Sequence, residues 1–406
     1  MPKKHKDKTK VYFPGLHGLR FFAALMVVFS HVELMKSYHA YPNLYDSNLA
    51  VYESGRIGVT LFFVLSGFLI SYLLLAEKKV SGTISIRNFY IRRILRIWPL
   101  YYLVILLAFF VIPRIAFFSI PEYSALLPGH FTYSLLLYVL LLPQVALSIF
   151  PPVPYAEPLW SIGVEEQFYL LWPVLLKRFK NFLRLAVVIA VGGVLLRQLV
   201  FMLAEANRAS PNLVYWNYVL NYLYFTRIEC MAIGGIGAWL IFKQKHATLN
   251  IIYHRLFQGL LYAATAYLLL TQNHKPIFNY VPYAICFCLI IINVSSNKNS
   301  LLKIENRLFV FLGNISFSMY MFHEPAIRVV LTGLVRMRGT RFNDAASNVL
   351  LHILAVTLTM LVSTLAYYGF EKRFLRLKSR FAVVESGQDL IEKGGPLTPA
   401  RQVVVS

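Results

Sequence analysis

Residues 56–76 read RIGVTLFFVLSGFLISYLLLA, an apolar run whose one charged side chain, Arg56, stands at its start. A helix rises about 1.5 Å per residue, so this run covers about 30 Å, the thickness of bilayer hydrocarbon. Comparable runs fall at 18–37, 97–118, 131–149, 159–176, 183–203, 226–242, 256–272, 277–294, 308–330 and 346–369. Of the 406 residues, 58% are hydrophobic and 14% charged, with mean hydropathy +0.58. A soluble domain carries about a quarter charged residues. The expected fold class is therefore all-α, a polytopic membrane helix bundle.

Charge decides which runs cross. The formal charge is +22, from 40 Lys and Arg against 18 acids. In a many-span protein such an excess collects in cytoplasmic loops. With the basic N-terminus MPKKHKDKTK inside, the loop 38–55 lacks Lys and Arg and falls outside. Lys78, Lys79, Arg87, Arg92, Arg93 and Arg96 then fall inside. If 131–149 crossed, Lys177, Arg178, Lys180 and Arg184 would face outside, against the bias. The preferred count is thus about ten transmembrane helices, with 131–149 re-entrant or interfacial and both termini cytoplasmic. Arg328, Arg336, Arg338 and Arg341 then lie outside without a reason from topology. No nucleic-acid partner is expected, because the charge sits on no soluble domain. Cys230, Cys286 and Cys288 lie within apolar runs, without the spacing of a zinc site or a disulfide framework, and no metal is expected.

Ionisable groups deep in a span mark a function or a buried pair. In the first run Arg20 and His31 are eleven residues apart. That puts them about 16 Å apart along the helix and about 20° apart around it. One face thus carries a cation at the membrane edge and an acid–base group deep inside; a snorkelling Arg and a packing His is the alternative. In RNFYIRRILRIWPLYY, Arg93 and Arg96 share a helix face beside Arg92, a set suited to phosphates or to plain anchoring. In PLWSIGVEEQFYLLWP, Glu165 and Glu166 sit about 10 Å below the outer surface, pointing about 100° apart, so at most one faces a given site. In LGNISFSMYMFHEPAIR, His323 and Glu324 lie about 22 Å from the inner face, and Pro325 is expected to kink the helix and free a carbonyl. His31, Glu165, Glu166, His323 and Glu324 are all expected at one level, nearer the outside. Arg227 and Glu229 are expected either to pair across a turn or to touch a substrate. Ser66 reads as a Ser-Gly helix contact rather than a nucleophile.

Taken in order, GLHGLRFFAALMVVFSH, GVTLFFVLSGFLI, FYIRRILRIWPLYY, PLWSIGVEEQFYLLWP, RIECMAIGG, GNISFSMYMFHEP and YYGFEKRF resemble the acyltransferase family 3 membrane proteins, over residues 15 to about 376. That family includes bacterial O-antigen acetylases, nodulation-factor acetylases and macrolide acyltransferases. Each piece is weak alone; the ordered set is specific. The resemblance maps the family's Arg-x10-His motif onto Arg20 and His31, and its RxxR motif onto Arg93 and Arg96. It implies an enzyme of the bacterial cytoplasmic membrane with ten spans. The donor would be cytoplasmic acyl-CoA, most simply acetyl-CoA, as a co-substrate with no permanently bound cofactor. The acceptor would be a carbohydrate or glycolipid hydroxyl, with membrane lipid the other partner. Some members carry an added esterase-like domain; this sequence shows none, leaving the membrane domain to act alone or with a partner.

On that basis His31, Glu165, Glu166 and His323 are the catalytic candidates. Arg20, Arg92, Arg93 and Arg96 are expected at the donor, and Arg227, Glu229, Trp160 and Ser161 at the acceptor. Ser66, Glu324 and Glu371 are read as structural or unassigned. The expected organisation is a basic tail over 1–14, the membrane domain over 15–376, and a disordered cytoplasmic tail over 377–406. A transporter or flippase of a lipid-linked glycan is the rival class; it would show inverted repeats, and no repeat is evident.

Overall fold

The computed structural model describes residues 9–46, 49–271, 280–339 and 344–387. In chain order the helices are α1 (Leu16–Tyr38), α2 (Leu49–Ser81), α3 (Ile86–Leu106), α4 (Pro121–Val139), α5 (Pro143–Ile149), α6 (Leu159–Arg178), α7 (Phe182–Ala206), α8 (Leu213–Phe225), α9 (Ile228–Phe242), α10 (His246–Tyr253), α11 (Arg255–Thr271), α12 (Val281–Ser296), α13 (Arg307–Arg338), α14 (Ala345–Ala366) and α15 (Lys372–Lys378). The bundle is all-α apart from one short parallel pair, β1 (Thr9–Val11) with β2 (Val384–Ser386).

Among the described residues, six helical stretches are long and apolar enough to cross a membrane: Leu16–Tyr38, Glu53–Ser81, Ile86–Arg114, Phe182–Ala206, Leu213–Phe242 and Ala345–Phe381. The other expected spans, at α6, α11, α12 and α13, are present as helices that are shorter or more polar. The protein is an integral membrane protein of the many-helix kind.

Four local outcomes depart from the sequence reading. The run 131–149 is two helices, broken at 140–142, where Leu141 adopts positive φ (63°). The helix expected at 97 starts at Ile86, which sets Arg92, Arg93 and Arg96 well inside it. An extra helix, α8, precedes the expected 226–242 run; its Asn and Tyr residues lower its hydropathy. Finally, the start of the expected tail is ordered: the chain continues through α15 to β2, which pairs with β1 in the register Thr9↔Val384 and Val11↔Ser386. Residues 1–8 and 388–406, and Arg341, lie outside the described residues.

α2 is the central helix, packed against α1, α9 and α12. It meets α9 through glycines. A Cβ on Gly67 would stand 1.9 Å from the Met231 carbonyl oxygen, and one on Gly234 would stand 2.1 Å from that of Val64. Close backbone approach of this kind replaces the hydrophobic drive that lipid cannot supply. Among the most buried side chains is Trp172, whose Nε1 donates to Ser71 Oγ at 2.9 Å. α13 packs along both α1 and α14, which brings the His323 segment against the His31 segment.

Candidate functional site

Two layers of polar side chains lie inside the bundle. The first joins α1 to α13. His31 Nδ1 lies 2.9 Å from the Val27 carbonyl, one turn back on its own helix. His323 Nδ1 lies 2.8 Å from the Tyr320 carbonyl. A carbonyl only accepts, so each Nδ1 carries the proton and each Nε2 presents a lone pair. The two rings meet edge to face, with centroids 4.6 Å apart. His31 Nε2 is 3.8 Å from Glu324 Oε1, and His323 Nε2 is buried with no hydrogen-bond partner among the described residues. Pro325 has no N–H to give the Met321 carbonyl, yet α13 runs unbroken through it from Arg307 to Arg338.

Such a cluster suits proton transfer to and from a hydroxyl. Its ligand atoms lie within 4.8 Å of one another. Two imidazoles and a carboxylate are donors zinc accepts, but ligands in a tetrahedral zinc site stand about 3.4 Å apart, so a spread near that limit would have to close in. The sequence reading passed over Glu157, which accepts from Tyr38 Oη at 2.9 Å and lies within electrostatic reach of His31 and Glu324. Its signal was its place next to the Pro158-Leu159-Trp160 motif.

The second layer is a cavity lined by Arg20 of α1, Ser66 of α2, Arg93 and Arg96 of α3, Ser161, Glu165 and Tyr169 of α6, and Ser316 and Tyr320 of α13, with Phe62, Leu65 and Leu69 supplying apolar wall. Ser66 Oγ donates to Glu165 Oε1 at 2.8 Å and lies 2.9 Å from Tyr169 Oη, which itself donates to Glu165 Oε2 at 2.9 Å. The Arg93 guanidinium stands over the Tyr169 ring (5.3 Å to the centroid), and its buried Nε has no hydrogen-bond partner among the described residues. Tyr320 also lines the cavity; its hydroxyl donates to the Pro158 carbonyl and lies 2.8 Å from Ser161 Oγ. Tyr320 precedes His323 by less than a turn of α13, with ring centroids 6.0 Å apart.

Several expected placements are corrected. Glu165 does not share a level with His31. It bonds to Ser66, whereas His31 lies against Gly55, eleven residues earlier on α2, or about 16 Å along that helix. Of the adjacent carboxylates only Glu165 lines the cavity; Glu166 accepts from Trp98 Nε1 at 3.0 Å. Arg92 is tied to Glu77 (3.2 Å) and to the Phe381 carbonyl (2.8 Å), which turns it away from the cavity. Arg227 and Glu229 do not pair. Glu229 bonds to Arg197, and Arg227 donates to the carbonyls of Tyr224 and Arg56 and to Thr60 while lying 3.5 Å over the Tyr280 ring and 5.4 Å from that of Trp160. Arg227 is wholly buried among these partners. Glu371 accepts from Ser318 and borders a small side cavity with Arg20 and Arg96. Arg328, unexplained by topology, donates to the Phe117 carbonyl at 3.1 Å.

A family profile described as an acyltransferase domain matches residues 13–368. The chain belongs to acyltransferase family 3. Among its relatives, "Putative peptidoglycan O-acetyltransferase YrhL" of Bacillus subtilis is 29% identical over 397 residues, covering 91% of this chain and 56% of that protein. O-acetyltransferase OatA of Staphylococcus aureus is 26% identical over 387 residues, covering 89% and 57%. This acyltransferase family 3 chain therefore spans somewhat over half the length of the curated relatives it matches. No solved structure matches it.

Proposed function

We propose that this protein moves an acyl group, acetyl in the simplest case, from cytoplasmic acyl-CoA to a hydroxyl of a carbohydrate on the far side of a bacterial membrane. Family membership supports the acyl chemistry, and the relatives named as O-acetyltransferases point to O-acetylation. The observation that carries the reading is the stacking of two unlike layers. Tyr320, which lines the cavity with Arg20, Arg93 and Arg96, stands less than a turn of α13 from His323 and its partner His31.

In this reading Arg93, Arg96 and Arg20 take the donor's phosphates by forked, charge-assisted hydrogen bonds. The pantetheine arm lies along the apolar wall, with its thioester toward Tyr320. His31 Nε2 takes the proton from the attacking hydroxyl, and Glu324 stabilises the imidazolium. The carbonyl carbon leaves sulfur for the sugar oxygen, and the proton passes to the departing thiolate. Alternatively His31 Nε2 attacks the thioester carbonyl, the carbon–sulfur bond breaks and the thiolate leaves; the hydroxyl then takes the acyl group from His31 Nε2, and its proton passes by way of His323 Nε2 to the thiolate.

The deciding experiment incubates membranes containing the protein with acetyl-CoA labelled in the acetyl group and follows label into glycan. Incorporation that depends on His31 supports the reading. Glycan movement across the membrane without incorporation would favour the transporter class.

A further inference from the structure

The strand pair made by residues near the two ends of the chain covers the arginine end of the donor cavity. Beneath it lies a second cavity, bordered by Tyr12, His17, Arg20, Arg96, Ser386 and Gly387. Arg20 and Arg96 line both spaces, so the two meet at these guanidiniums. His17 is buried, and its Nδ1 has no hydrogen-bond partner among the described residues. Buried polar atoms are seldom left so, which marks this nitrogen as one awaiting a ligand.

Both strands are pinned in place. The Tyr12 hydroxyl donates to one oxygen of Glu305, and the Gly15 N–H donates to the other at 2.5 Å. On the β2 side Arg92 holds the Phe381 carbonyl. The fit between them is tight: a Cβ on Gly387 would stand 2.5 Å from the Tyr12 ring.

We propose that β1, β2 and His17 form the cover of the donor's phosphate-bearing end, a subsite for a nucleotide diphosphate whose charge is met by Arg20 and Arg96. The proposal rests on the reading that the donor is a coenzyme A thioester. It assigns residues 379–387 to the donor site. The chemistry along the path fits such a molecule: a cationic, polar end under the strands leads to the apolar stretch at Phe62, Leu65 and Leu69.

The test measures equilibrium binding of labelled coenzyme A to the full-length protein in detergent. Two variants disturb the cover from different positions. Gly387→Val drives a side chain into Tyr12, and Val384→Pro disrupts the strand pair; both change residues outside the helices that build the cavity. The expected result is a Kd for coenzyme A raised about tenfold in each. In the transfer assay KM rises by a similar factor while kcat stays within about twofold, as befits a ground-state contact remote from the reacting atoms. Variants that bind coenzyme A as tightly as the unaltered protein overturn the cover and leave the donor reading intact. An unaltered protein that binds no coenzyme A overturns both.

Discussion

His31 and His323 meet edge to face, ring centroids 4.6 Å apart, each with its Nδ1 engaged by a backbone carbonyl of its own helix. Neither ring can turn without losing that bond, so both Nε2 atoms are held toward one space beside Glu324.

Replacing His31 with Ala should abolish acyl transfer, a loss of at least about 100-fold, the lower end for a general base. His323→Ala should cost less if that ring only orients His31. The comparison is made on initial rates in membranes holding equal amounts of each variant. A His31→Ala protein with full activity would remove that imidazole from the reaction.

Arg93 and Arg92 are neighbours in the chain and opposite in role. Arg93 lines the cavity, whereas Arg92 bridges Glu77 and the Phe381 carbonyl. Arg93→Ala should raise KM for acyl-CoA about tenfold with kcat less affected. Arg92→Ala should act on stability first, shifting thermal unfolding in detergent. A KM unmoved by Arg93→Ala would take that residue out of the donor site.

The buried Arg197–Glu229 pair ties α7 to α9. Removing one partner leaves an uncompensated charge, at a cost of about 3 kcal/mol or more. Arg197→Met alone should therefore sharply lower the unfolding temperature, and adding Glu229→Gln should restore much of it. If the double variant is no more stable than Arg197→Met alone, the pairing is not what stabilises this contact.

Glu305 lies in the connection between α12 and α13, where burial raises its carboxyl above the ordinary range and the Gly15 N–H pulls the other way. With the folded pKa the higher one, the folded state favours the protonated acid. That contribution is complete below the unfolded value and fades as pH rises through the folded one. Glu305→Gln, neutral at every pH, should remove this part of the pH dependence. The check is a pair of unfolding curves across pH 4 to 7, read against the reference carboxyl value of about 4.3.

The helical architecture was legible because lipid forces long apolar runs, and α1, α7 and α14 follow theirs closely. Arg20 and His31 on one helix face, and Arg93 with Arg96, could likewise be read from spacing. What spacing could not supply was the partner of each charge. Arg227 and Glu229 look like a pair two residues apart, yet Glu229 bonds to Arg197, on a helix distant in sequence. Depth estimates also misled. Glu165 was placed by counting from the outer end of its helix, and its real level is fixed by Ser66 and Tyr169. The ordered β2 segment left no trace in periodicity because its partner strand comes from the opposite end of the chain.

Tyr320, fastened to Pro158 and Ser161, has a further consequence. Its ring lines the arginine-lined cavity and also lies 6.0 Å, centroid to centroid, from the ring of His323. Any molecule that reached from that cavity to the histidine pair along this wall would first have to break the hydroxyl's contacts with Pro158 and Ser161.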